Sequence, residues 1–327
     1  AEHQALCEEY PDDLDVARAC HLNSNGFYDD DEFLATPSLT AVTPRVLMLG
    51  DSFTYGMTAD LGRSWVEVVE AGLEDGEVWN TGLPGNGTGN VIAGLQAWGP
   101  VMQPDLAVYG FYMNDIDGSL YPLADRYVML EIPDWGLPFD RVAVTQWFVN
   151  EEGVLEQLTM DQLLYRGLLG YEAPRNGIEA ILGQTRLGTL LLRAIDVVRE
   201  SVGQRWELAI AQTRANLLEL QQTAAELDVP LLVLLIPSPV EAEVLSERYT
   251  VARSLLNELD IAYVDPRPLL EVNDYAYVGD PEDIHWNNSG HAIIGELMLA
   301  CVQAISDGAP LSVCQEIAAQ HVEQAGG

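Results

Sequence analysis

Val46-Leu47-Met48-Leu49-Gly50-Asp51-Ser52-Phe53-Thr54-Tyr55-Gly56 is the stretch whose reading decides the fold. Its first half is a short apolar run dominated by Val and Leu, the pattern of a strand buried on both faces of a parallel sheet. The run stops at Gly50-Asp51-Ser52, with Gly56 shortly after. A strand that ends in Gly and carries Ser at its carboxyl edge presents a hydroxyl where open α/β sheets keep their ligands. The same residue types also cap helices, so Ser52 alone fits a bland role at a strand-to-helix junction equally well.

Working outward, strand-like runs recur at residues 76–79, 105–112, 229–236 and 261–264. Helical spacing fills residues 65–73, 91–98, 178–198, 206–227, 241–259 and 292–305. Strands alternating with helices predict an α/β protein with a mostly parallel, doubly wound, five-stranded sheet. Residues 1–43 read as an acidic arm, residues 44–305 as the main domain and residues 306–327 as a C-terminal tail. Residues 120–204 are less regular and rich in aromatics, which marks an insertion or cap after the third strand. Aromatics at that spacing serve packing more often than ligand binding.

The 327 residues contain 15 basic side chains, all Arg, against 51 acidic ones, for a net charge of −36. Such a surface repels nucleic acid and anionic membranes, and neither is expected as a partner. No uninterrupted apolar run reaches the ~18 residues of a membrane span. The acidic run Asp29-Asp30-Asp31-Glu32 lacks the alternating ligand spacing of a calcium loop, so a solvated turn is preferred and no metal is expected. Cys7 and Cys20 lie near one end, and Cys301 and Cys314 near the other. Two local disulfides are the simplest pairing, with buried free thiols as the alternative. Together with a chain numbered from Ala1, they suggest an exported protein whose signal peptide has been removed.

The Gly-rich stretch from Asn80 to Asn90 carries Gly82, Gly85, Gly87 and Gly89. It does not match G-x-G-x-x-G, and a phosphate-loop Lys is impossible in a chain without Lys; no cofactor is expected. It reads instead as a loop that turns backbone N–H groups toward a ligand. A further loop, Asn114-Asp115, follows the third strand, and Asp283-Ile284-His285 precedes the last expected helix. Of five His, only His285 and His291 fall within the expected core. A Ser nucleophile needs a base for its proton, and the base needs an orienting acid. Ser52, His285 and Asp283 can fill these roles. The backbone N–H groups of Ser52 and Gly85 and the side-chain amide of Asn114 are candidate oxyanion donors.

Gly50-Asp51-Ser52, the Gly85 loop, Asn114-Asp115 and Asp283-x-His285, in this order, resemble the four signature blocks of the SGNH (GDSL-type) hydrolases. The resemblance covers residues 44–305. It implies a flavodoxin-like three-layer α/β/α sandwich and serine chemistry, with Ser52 as nucleophile, His285 as base, Asp283 as orienting acid, and Gly85 and Asn114 completing the oxyanion hole. Many members carry the acid three residues before the His, which makes Glu282 the alternative. The family usually has Gly two residues before the Asn, where this chain has Tyr112; that ring either narrows the pocket or points into the core. His285-Trp286-Asn287-x-x-Gly290-His291 resembles branches that deacetylate polysaccharides.

The expectation is therefore an esterase acting on small acyl esters, acetylated carbohydrate among them. An O-acyltransferase to a sugar hydroxyl and a non-catalytic carbohydrate-binding subunit are the alternatives. The oligomeric state is not legible.

Overall fold

The structure is a computed structural model that describes residues 23, 27, 44–119, 127–128, 145–149, 155–159, 204–237, 243–273 and 284–326. The apolar run of the opening stretch forms β1 (Arg45–Gly50), buried at all six positions, as expected for a central parallel strand. Next come α1 (Ser52–Tyr55), α2 (Trp65–Gly72) and β2 (Glu77–Asn80). Ser64 starts α2 with a reciprocal capping box: its Oγ accepts the Glu67 N–H and the Glu67 carboxylate accepts the Ser64 N–H. Then follow α3 (Thr88–Met102), β3 (Leu106–Tyr112) and the short α4 (Asn114–Gly118). Three strands, β4 (Tyr127–Val128), β5 (Thr145–Val149) and β6 (Leu155–Thr159), precede α5 (Gln204–Glu226). The chain closes with β7 (Leu231–Ile236), α6 (Glu243–Glu258), β8 (Tyr263–Val264), α7 (Arg267–Val272), α8 (Asn288–Ser306) and α9 (Val313–Ala325).

The main sheet has the order β2-β1-β3-β7-β8, and every neighbouring pair is parallel. This is the expected five-stranded α/β sheet, with the flavodoxin-like strand order. On this sheet α3 packs against β1 and β3, and α5 packs on α3 and touches α6. The last long helix, α8, returns to pack along α2. Strand order reverses direction between β1 and β3, so the crevice for a ligand opens at the carboxyl ends of those two strands. At the opposite edge, the Arg45 guanidinium pairs with Glu77 at 2.8 Å, and Glu77 also accepts the Trp79 indole N–H at 2.7 Å.

Several boundaries differ from the sequence expectation. The helix expected to end at Trp98 continues through Pro100 to Met102, although Pro100 has no N–H to give the i→i−4 ladder. The tail after residue 305 contains α9, which buries Cys314 and Ala318 and packs on α8. Within the insertion, β4, β5 and β6 form an antiparallel sheet, which its irregular pattern had not indicated. The arm before residue 44 (save Asn23 and Phe27) and the expected helix at 178–198 lie outside the described residues. By length and composition alone α8 is apolar enough to cross a membrane, although polar residues interrupt its apolar run. Its apolar character has a local cause: Ile294, Leu297, Met298, Cys301 and Val302 are buried, in a helix packed on α2 and α9.

Candidate active site

At the carboxyl end of β1, Asp51 rather than Ser52 caps the helix: its Oδ1 accepts the Phe53 N–H at 2.9 Å. Ser52 is thereby left as the first helical residue, half-buried, with its hydroxyl free for other work. Its backbone N–H, in the first turn, has no intrahelical acceptor. Phe53 and Thr54 are buried and anchor α1, and Gly56 ends it in the left-handed conformation at φ 84°.

The imidazole arrives from the other end of the chain. Asn287 caps α8 by accepting the N–H groups of Ser289 and Gly290 at 3.0 and 3.1 Å. Trp286, fully buried, packs edge-on against Phe53 with ring centroids 5.0 Å apart. These contacts set His285 beside α1, where its Nε2 lies 2.7 Å from Ser52 Oγ across 233 residues of sequence. His291 does a different job. Its Nδ1 accepts the Trp65 N–H at 3.2 Å, so its proton sits on Nε2, which faces Met57 O at 3.4 Å.

Gly85 lies on the loop after β2, and Asn114 opens α4 directly after β3. Leu83-Pro84-Gly85-Asn86 is a turn closed by Asn86 N–H to Leu83 O at 3.1 Å, with Gly85 at φ 83°. Pro followed by a residue at positive φ is the type II pattern, which explains the Gly. The turn is tied to β1 by the Leu83 N–H, which donates to Gly50 O at 3.1 Å. Gly85 itself is exposed, with open space where a side chain would stand. Asn114 is also exposed, and its side chain hydrogen-bonds the buried carboxyl of Asp51. Tyr112 points into the core: it is 4% exposed and packs on Phe53, ring centroids 4.6 Å apart.

Beneath the nucleophile lies a buried polar cluster of Asp51, Tyr109 and Asp115. Burial pushes Asp51 up from 3.8 to about 7, partly offset by its hydrogen bonds to Phe53 N–H and Asn114. Tyr109 donates to Asp115 Oδ2 at 2.6 Å and contacts Thr88 Oγ1 at 3.0 Å. Burial first, and the Asp115 charge second, hold its phenol well above the usual value. The Asp-Ser and Asn-Asp dipeptides were the available signals, but nothing in the sequence placed their carboxyls in one buried layer.

Asp283 and Glu282, the two candidate acids, lie outside the described residues, as do Cys7 and Cys20. Cys301 and Cys314 are two buried thiols in hydrogen-bond contact, not a disulfide, where α8 and α9 pack together. Among the described residues, no group of three or more His, Cys, Asp or Glu side chains is placed to hold a metal ion.

Fold and site together define an α/β protein of flavodoxin-like strand order with a hydroxyl–imidazole pair at its topological switch point. No family model matches the chain, and no curated protein matches it in sequence. Among solved structures it is similar to TesA, with 16% identity over 77% of this chain and 94% of that one, at a TM-score of 0.42. It is similar also to the psychrotrophic esterase EstA from Pseudoalteromonas sp., with 11% identity over 81% and 100% of the two chains and a TM-score of 0.45. A third is the acetylxylan esterase Axe2 from Geobacillus stearothermophilus, with 14% identity over 82% and 96% and a TM-score of 0.41.

Proposed function

We propose that this chain is a serine ester hydrolase that releases small acyl groups, acetyl on carbohydrate among them, through an acyl-enzyme on Ser52. The observation that carries this reading is the 2.7 Å approach of His285 Nε2 to Ser52 Oγ. At that distance Nε2 takes the hydroxyl proton as Oγ attacks the ester carbonyl, and the carbonyl oxygen becomes an oxyanion. The Ser52 and Gly85 N–H groups and the Asn114 amide are the donors that receive it. His285 then passes its proton to the departing alcohol oxygen. Water, deprotonated by the same imidazole, attacks the acyl carbon and returns Ser52. Asp283, or Glu282 in its place, holds the imidazole in the tautomer with the proton on Nδ1. The carbohydrate part rests on the run His285 to His291, which resembles polysaccharide-deacetylating branches.

The test needs no knowledge of the substrate. A fluorophosphonate probe should add once to the wild type and not to Ser52→Ala, read by intact mass. A folded wild type that takes no probe would end the reading, and acyl transfer to an added sugar in place of free acid would redirect it to a transferase.

A further inference from the structure

Thr58 is the residue in the loop after α1 that its sequence does not explain. It sits at φ 70°, in the left-handed region, where a β-branched side chain is a genuine outlier. The other described non-Gly residues at positive φ are Gln103, Asp228 and Asp260, each just past the end of a long helix, where such a conformation is ordinary. Thr58 follows a four-residue helix by three positions, and Gly56 has already ended that helix. Strain of this kind persists only where the surroundings impose it, and it gathers at functional sites.

What imposes it is the His285 loop. Thr58 Oγ1 donates to Trp286 O at 2.8 Å and also lies against Met57 O. Two residues on, the Asp60 N–H donates to Asn288 Oδ1 at 2.8 Å, and Asn288 Nδ2 donates to Asp60 Oδ2 at 2.6 Å. His291 Nε2 facing Met57 O adds a third contact between the same loops. The clamp thus grips the chain at Trp286, the residue after the imidazole, and ties it to the segment directly after the nucleophile's helix. Asp60 is exposed, whereas Thr58 and Asn288 are half-buried, and the carbonyl that Thr58 holds belongs to the residue next to His285.

We propose that Thr58 is a positioning residue: its hydroxyl, held in a strained backbone, sets the distance between His285 and Ser52. The inference rests on the esterase reading for its catalytic consequence but not for its geometric content. A misplacement of about 1 Å at a reacting pair costs on the order of 100-fold in rate. Losing the tether should therefore lower kcat far more than it alters KM.

Three variants separate positioning from mere support of the fold. Thr58→Val keeps shape and β-branching but removes the hydroxyl, Thr58→Ser keeps the hydroxyl, and Thr58→Gly relieves the backbone strain while losing the hydroxyl. The expected result is a fall of about 10- to 100-fold in kcat and in fluorophosphonate labelling for Val and Gly, with KM nearly unchanged. Thr58→Ser restores the rate to within a few-fold. Thr58→Gly should keep or raise the melting temperature while losing rate, which a purely structural role would not do. The independent readout is the His285 Nε2 resonance in 15N-histidine-labelled protein, in a chain with only five His. It should report a hydrogen bond to Ser52 in wild type and Thr58→Ser, and its loss in Thr58→Val and Thr58→Gly. An unchanged resonance in Thr58→Val overturns the proposal, whatever the enzyme turns out to do. A wild type that is never labelled, but whose His285 signal still follows Thr58, would refute the esterase reading and leave the positioning role standing.

Discussion

Gly50 and Gly110 face each other in register across β1 and β3, and the side chain of Thr54 fills the space that both leave. A Cβ on Gly50 would stand 2.2 Å from Thr54 Oγ1, and one on Gly110 would stand 2.4 Å from the same atom. The short helix that carries Ser52 is seated on the sheet through this pair of absent side chains.

The two glycines should differ in rescue. Gly110→Ala should destabilise by about 1–3 kcal/mol and slow Ser52 labelling, because Thr54 must move and α1 with it. Adding Thr54→Ala should recover much of the loss, since the next neighbour of that Cβ is Ile236 Cδ1 at 3.3 Å. Gly50→Ala should not be rescued, because Gly110 O at 3.0 Å would still oppose it. Urea unfolding of the four variants, with labelling rates, measures both. Equal rescue of the two glycines would refute the seating argument.

Asp51 should leave a signature in stability against pH. Its pKa is about 7 in the folded protein against 3.8 for the free group, so the native state binds its proton more tightly than the unfolded chain. The stability this contributes is fully present below about pH 4 and is lost as pH rises to about 7. The loss is on the order of a few kcal/mol, with Asp115 and Tyr109 buried close by. Asp51→Asn keeps the oxygen that accepts the Phe53 N–H and removes the titration. Its unfolding free energy should therefore fall less than that of the wild type between pH 5 and pH 8. Parallel curves would show that Asp51 does not titrate in that interval.

The acid that orients His285 is a choice between neighbours in sequence. Asp283→Asn should reduce kcat on the order of a thousandfold or more, since an amide favours the wrong imidazole tautomer. Glu282→Gln should change it by no more than a few-fold. The steady-state rates of the two variants on one activated ester decide the matter, and the reverse ranking would assign the role to Glu282.

Cys301 and Cys314 join α8 to α9 through two buried thiols in contact. Oxidised glutathione should convert them to a disulfide, two electrons and two protons passing to the reagent, with intact mass falling by two hydrogens. Closing a loop of roughly 15 residues stabilises by about 3 kcal/mol. The melting temperature should therefore rise on oxidation, and the rise should vanish in Cys314→Ser. Thiols that stay free under these conditions would show that the packing of α8 on α9 forbids the bond.

Much of this molecule is present in local pattern. Apolar runs such as Leu231–Ile236 read as central strands by their length and composition, and their alternation with helical stretches points to a doubly wound sheet. Ser52, Gly85, Asn114 and His285 stood out because each follows or precedes such an element. Four choices were open in the sequence and were decided by packing. Asp51 took the helix cap and released Ser52; Tyr112 turned into the core against Phe53; Gly110, not residue 112, made room beside β1; and Thr58, at positive φ, bonds a carbonyl more than two hundred residues away. Periodicity records which face of an element is buried, and that is settled by neighbours a few residues off. The 2.7 Å contact between Ser52 and His285 joins residues 233 positions apart, and only the assembled tertiary structure contains that information.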